Sequence, residues 1–135
     1  MMTKLIFIII FITFILTSCN SEDTQETFQF GFNNEFGFGE LNKSEDNLLK
    51  FTISGVNDSR CPIDVFCFWQ GKVDVEIAVE SWQSGSIFLS SHNNEIDTFG
   101  NFSFQLIDVT PYPISTQTIK LEDYNVVLKI TELKN

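Results

Sequence analysis

The residues best suited to chemistry or recognition crowd into one stretch, Asp58-Ser59-Arg60-Cys61-Pro62-Ile63-Asp64-Val65-Phe66-Cys67-Phe68-Trp69-Gln70-Gly71. It holds two of the three cysteines, the only arginine and one of the two tryptophans. Cys61 and Cys67 are six positions apart, too far in an extended chain for the roughly 4.4 to 6.8 Å between Cα atoms that a disulfide tolerates, so a bridge requires the segment to turn back. Pro62, which fixes φ, assists such a turn. A loop this short gains only about 2 to 2.5 kcal/mol from cross-linking in the chain-entropy picture. Arg60 lies within reach of Asp58 and Asp64, and the expectation is a guanidinium pinned between carboxylates as a loop brace. Trp69 follows Cys67 by two residues and is expected to pack its indole against the bridge and the core, with Gly71 closing the loop.

Other chemistries have few parts. There is no second close cysteine pair and His92 is the only histidine, so a cysteine-ligated zinc site is not expected. Asn57, Asp58 and Asp64 supply oxygens for calcium but lack an EF-hand spacing. Bridged cysteines are not nucleophiles, and their spacing differs from a Cys-x-x-Cys redox pair. His92 beside Ser90 and Ser91 is the one arrangement that suggests a small hydrolase, and no pair of carboxylates stands out for glycoside chemistry. We therefore expect no catalytic residues, no metal and no cofactor.

The chain of 135 residues has room for one domain, and Lys+Arg 8 against Asp+Glu 18 gives a net charge of −10. Binding to nucleic acid relies on clustered cations, so nucleic acid is not an expected partner. Lys4 precedes an apolar run from Leu5 to Leu16, broken only by Thr13, and then Thr17, Ser18 and Cys19. About a dozen apolar residues suit a secretory leader, whereas a spanning helix needs about twenty.

Leu16-Thr17-Ser18-Cys19 resembles the bacterial lipobox. The resemblance implies that residues 1–18 are a signal peptide and that Cys19 becomes a lipidated first residue. More than one acyl chain anchors a protein stably without spanning the membrane. The acidic segment 19–27 reads as a tether, and 28–135 as the folded domain. Export places Cys61 and Cys67 in an oxidising compartment, where a disulfide is the usual fate of such a pair. The address implied is the cell envelope, with the outer membrane the expected anchor and no preference between the cell surface and the periplasmic face.

The elements that must position the central loop read as strands. Phe28-Gln29-Phe30-Gly31-Phe32 and Phe36-Gly37-Phe38 alternate aromatic residues with glycine or polar ones, as in a hairpin. A three-residue turn pairing Phe32 with Phe36 sets all five rings on one face. Leu48 to Val56 forms the strand before the loop, and Lys72 to Glu80 the strand after it, with Val73, Val75, Ile77 and Val79 on one face. Ser86 to Ser90, Phe102 to Val109 and Tyr124 to Thr131 follow, separated by the Ser81–Gly85 turn, a loop from His92 to Asn101 and a stiff Thr110-Pro111-Tyr112-Pro113 corner. Seven or eight short strands and no long helix predict an all-β protein: an antiparallel β-sandwich of Ig-like arrangement, with a small β-barrel as the alternative.

Asp58-Ser59-Arg60-Cys61-Pro62, Cys67, Trp69 and Gly71 also resemble the signature of a family of small Bacteroidetes lipoproteins. Leu106-Ile107-Asp108-Val109-Thr110-Pro111-Tyr112-Pro113 and Asp123-Tyr124 are similar to a second stretch of the same family. The resemblance implies relatedness over most of the mature domain and brings no activity with it. The leading functional expectation is a noncatalytic binding module, contacting an envelope protein or glycan through Arg60, Ile63, Asp64, Trp82 and Tyr112. A small envelope hydrolase and an inhibitor presenting the disulfide loop are the alternatives.

Overall fold

The computed structural model describes residues 27–134. The leader, Cys19 and all of the tether but Thr27 lie outside the described residues. Among the described residues nine strands form two sheets packed face to face and not closed into a barrel. The first sheet has the order β1 (Thr27–Phe28), β3 (Leu41–Ser44), β4 (Lys50–Asp58), β5 (Val73–Glu80), β6 (Ser84–Ser90). The second has the order β2 (Asn33–Gly37), β9 (Asn125–Glu132), β8 (Phe102–Thr110), β7 (Ile96–Phe99). Among the strands of the described residues only β1 and β3 pair in parallel, and Phe38 adds an isolated parallel bridge to Ile53. The expected β-sandwich is the observed architecture, and its chain path is two successive meanders, β3 to β6 and β7 to β9, with β1 and β2 added at the sheet edges.

Alternation explains the core. Val73, Val75, Ile77 and Val79 of β5 are all buried while the residues between them are not, because successive side chains of a strand leave opposite faces. From the facing sheet, Phe104, Val126, Leu128 and Ile130 fill the space between, and Phe51 meets Phe104 edge to face at 5.8 Å. The loop expected from His92 to Asn101 contains a short strand, β7, which pairs with the first half of β8 only.

The aromatic hairpin does not form. Gly31 takes φ +83° and donates its N–H to Ile130 O, which carries the chain from one sheet to the other between β1 and β2. Phe28 and Phe36 are both buried, but they approach from different sheets, edge to face at 5.4 Å. Phe30 stacks on Phe102 at 5.3 Å, and Phe32 is exposed. A residue able to adopt positive φ at the centre of the run ends the strand, so the rings meet across the core instead of along one face.

Candidate functional site

The disulfide loop is the tip of the β4–β5 hairpin. Beyond the last strand pair, Ser59 N–H reaches Lys72 O at 2.8 Å and Cys61 N–H reaches Gln70 O at 2.8 Å, so a stem continues past the sheet and residues 62–69 form its tip. The Cys61–Cys67 bridge is present, with the Cα atoms 5.9 Å apart. Gly71 has φ +69°, and a Cβ there would lie 1.9 Å from Ser59 O, so the stem closes only around glycine.

Arg60 braces the loop through one of the two carboxylates expected, Asp58, and through partners that sequence distance hides. Its Nε and Nη2 donate to the two carboxylate oxygens of Asp58 at 2.9 and 2.6 Å. Nη1 donates to Val109 O at 2.7 Å, and Nη2 also to Pro111 O at 3.1 Å. Val109 lies in the part of β8 that β7 does not cover and Pro111 just past the strand's end, so the guanidinium takes the place of a missing strand neighbour. The Tyr112 ring stacks on it, its centroid 4.0 Å from Cζ. With side chains 7% and 3% exposed, Arg60 and Asp58 are an internal pair joining the two sheets. Burial alone would raise the Asp58 carboxyl, but hydrogen bonds from the Arg60 side chain and backbone, the guanidinium charge and the Tyr124 hydroxyl outweigh it and hold the group below its ordinary value. For Tyr124, burial and then the Asp58 charge push the phenol up.

Asp64 is not part of that pair. Its carboxylate accepts from Ser115 Oγ at 2.5 Å and Ser115 N–H at 2.8 Å, and these bonds lower its pKa. Ile63 N–H donates to Pro113 O at 3.0 Å. The tip is thus fastened to the β8–β9 connection, which begins with a cis Thr110–Pro111 peptide bond. Asp58 and Asp64 have different partners, so the Asn57, Asp58 and Asp64 oxygens are not gathered as a calcium set.

The tip itself corrects a second expectation. Trp69 is 78% exposed, with its indole edge to face against Phe68 at 5.4 Å, and does not enter the core. Ile63, Val65, Phe66 and Phe68 are exposed as well, Phe66 completely. The stem carries these residues beyond the ends of both sheets, where no facing layer exists to bury them. The contacts expected from sequence therefore separate. Arg60 is enclosed; Ile63, Asp64 and half-exposed Tyr112 stay at the surface near it. Trp82, 73% exposed beside Leu48, sits in the β5–β6 turn at the opposite end of the sandwich.

Between the stem and the uncovered part of β8 runs an open groove of about 700 Å3, lined among others by Gln70, His92, Glu95, Gln105, Asp108 and Tyr112. Of these, only His92 and Tyr112 stand out in the sequence, because the others are common polar residues scattered over two connections and strand β8. Ser91 Oγ accepts Val73 N–H at 3.0 Å, and Ser90 Oγ is buried within reach of the Asp74 carboxylate. Neither serine hydroxyl is bonded to His92.

Comparison of the chain with protein-family models, curated proteins and solved structures finds no match.

Proposed function

We propose that the protein is a noncatalytic binding module of the bacterial cell envelope, anchored through lipid on Cys19 and contacting its partner with the tip of the disulfide loop. The observation that carries this reading is the exposure of Ile63, Val65, Phe66, Phe68 and Trp69 on a tip held by the disulfide, the Asp64–Ser115 bonds and the Arg60 brace. Exposed apolar residues scattered singly are ordinary, but several on one loop, with Phe68 and Trp69 in contact, mark a contact surface. Large rings in a pre-shaped loop lose little entropy on binding, which is the character of an interface hot spot.

The position of Thr27 supports the direction of that contact. Thr27 pairs with Lys43, and Lys43 with Lys50 at the start of β4, whereas the tip follows Asp58 at its end. At about 3.3 Å per residue those ends are roughly 26 Å apart. A lipid on Cys19 would then attach the chain at the end opposite the tip, which leaves the tip free to meet an envelope protein or glycan. The same rigid tip suits an inhibitor entering an enzyme cleft, which is a special case of this reading.

The test uses full-length protein in detergent, cross-linked in an envelope extract. Partners recovered with the wild type should be lost with Phe66→Ser/Trp69→Ser and kept with Trp82→Ala. Equal recovery by the tip variant would overturn the assignment.

A further inference from the structure

The groove beside the tip has a composition that selects a ligand class. Its volume of about 700 Å3 falls within the roughly 300 to 1,000 Å3 usual for small-molecule sites. The side chains of Gln70, His92, Glu95 and Gln105 make no hydrogen bond to the described residues, and Asp108 uses one oxygen, for Val109 N–H at 2.8 Å. Together these groups offer amide and imidazole N–H donors and carboxylate, amide and imidazole acceptors.

Charge narrows the choice. Among the described residues Arg60 is the only cation lining the groove; four of its five N–H donors go to Asp58, Val109 O and Pro111 O, its charge is balanced by Asp58, and its plane covers Tyr112. No cation is left for a phosphate or carboxylate, and Glu95 and Asp108 would repel one. An apolar ligand would strip water from the polar groups and leave them unpaired, which disfavours it. A cationic ligand would use the acceptors and leave the amide donors idle. Vicinal hydroxyls, each both donor and acceptor, match the mixture. Tyr112 is half exposed and held in place by Arg60, so it supplies a flat ring for the C–H face of a pyranose.

We infer that this groove binds a neutral oligosaccharide, with Gln70, His92, Glu95, Gln105 and Asp108 bonding its hydroxyls and Tyr112 stacking on a sugar ring. The inference rests on the reading of this end of the molecule as a binding surface and names one ligand class for it.

Calorimetric titration of the full-length protein in a zwitterionic detergent with cellotetraose, maltotetraose, xylotetraose, chitotetraose and the anionic tetragalacturonate tests it. At least one neutral sugar should bind with Kd between about 10 μM and about 1 mM, and tetragalacturonate at least about tenfold more weakly. Gln105→Ala and Glu95→Ala should each weaken the neutral sugar by about tenfold or more at unchanged Tm. No saturable heat with any neutral sugar up to about 10 mM, stronger binding of tetragalacturonate, or binding indifferent to both substitutions would overturn the inference. Tip-dependent capture of an envelope protein without sugar binding removes the groove assignment alone, whereas sugar binding without tip-dependent capture removes the tip assignment alone. Release of new reducing ends from a bound sugar would keep the groove and overturn the noncatalytic reading.

Discussion

At the end of the sandwich near Thr27, the two sheets are joined by rings: Phe36 of the second sheet against Phe28 and Phe51 of the first, with Phe30 stacked on Phe102. At the other end they are joined by a directional polar latch, in which Arg60 ties Asp58 of one sheet to the Val109 carbonyl of the other and to Pro111 O just beyond it. The aromatic end puts most of its phenylalanines inside. The latched end holds its loop by charge and hydrogen bonds, and its rings stand in solvent. Aromatic burial is non-directional and tolerates repacking, whereas a buried ion pair fixes one geometry. A binding tip benefits from the second kind of support, since its rings can face outward while the backbone beneath stays fixed.

The comparison is broken most severely by removing one member from each end. Phe51→Ala and Asp58→Ala should each cost about 3–5 kcal/mol, the first by leaving a cavity and the second by leaving the guanidinium buried and unpaired. Urea denaturation across pH separates them. The folded-state pKa of Asp58 is depressed, so its contribution is complete above the ordinary carboxylate value and is lost as pH falls through about 4 toward the folded value. The Asp58→Ala penalty should therefore shrink with acid, while the Phe51→Ala penalty should not track that carboxylate.

Gly71→Ala should follow at about 2–3 kcal/mol, because it combines a positive φ with a Cβ driven into the Ser59 carbonyl. Thermal denaturation measures it, and a loss near zero would mean that the stem opens without cost. Cys61→Ser/Cys67→Ser should lose about 2 kcal/mol in the same assay. The Arg60 latch survives that change, so the β4–β5 stem should keep its amide-exchange protection.

The smallest effects belong to the exposed rings. Trp82→Ala at one end and Phe66→Ser at the other should each change stability by no more than about 0.5 kcal/mol. A larger loss at Phe66 would mean that the tip ring packs against the domain and is not free for a partner.

Much of this molecule is readable from the chain alone. The alternation Val73-Asp74-Val75-Glu76-Ile77-Ala78-Val79 specifies a half-buried strand whatever its neighbours, and the turn residues around it set the lengths of the connections. A short Cys61–Cys67 loop with a proline and flanking acids announces a closed, braced turn. These features depend on residues within a few positions of one another, the range over which sequence pattern dictates local geometry. Partner choice has no such range. Phenylalanines spaced by two look the same whether they pair in a hairpin or meet across a core, and Gly31, by turning the chain between sheets, decides the second. The second carboxylate expected beside Arg60 is instead bonded to Ser115, 51 positions from Asp64, and the guanidinium finds Val109, 49 positions away. Trp69 has the sequence of a core residue and the location of a surface one, because only the folded molecule shows that the stem carries it past the last layer able to bury it. The groove is likewise a product of the fold, made where β7 ends short of β8 and leaves scattered polar side chains facing one open space.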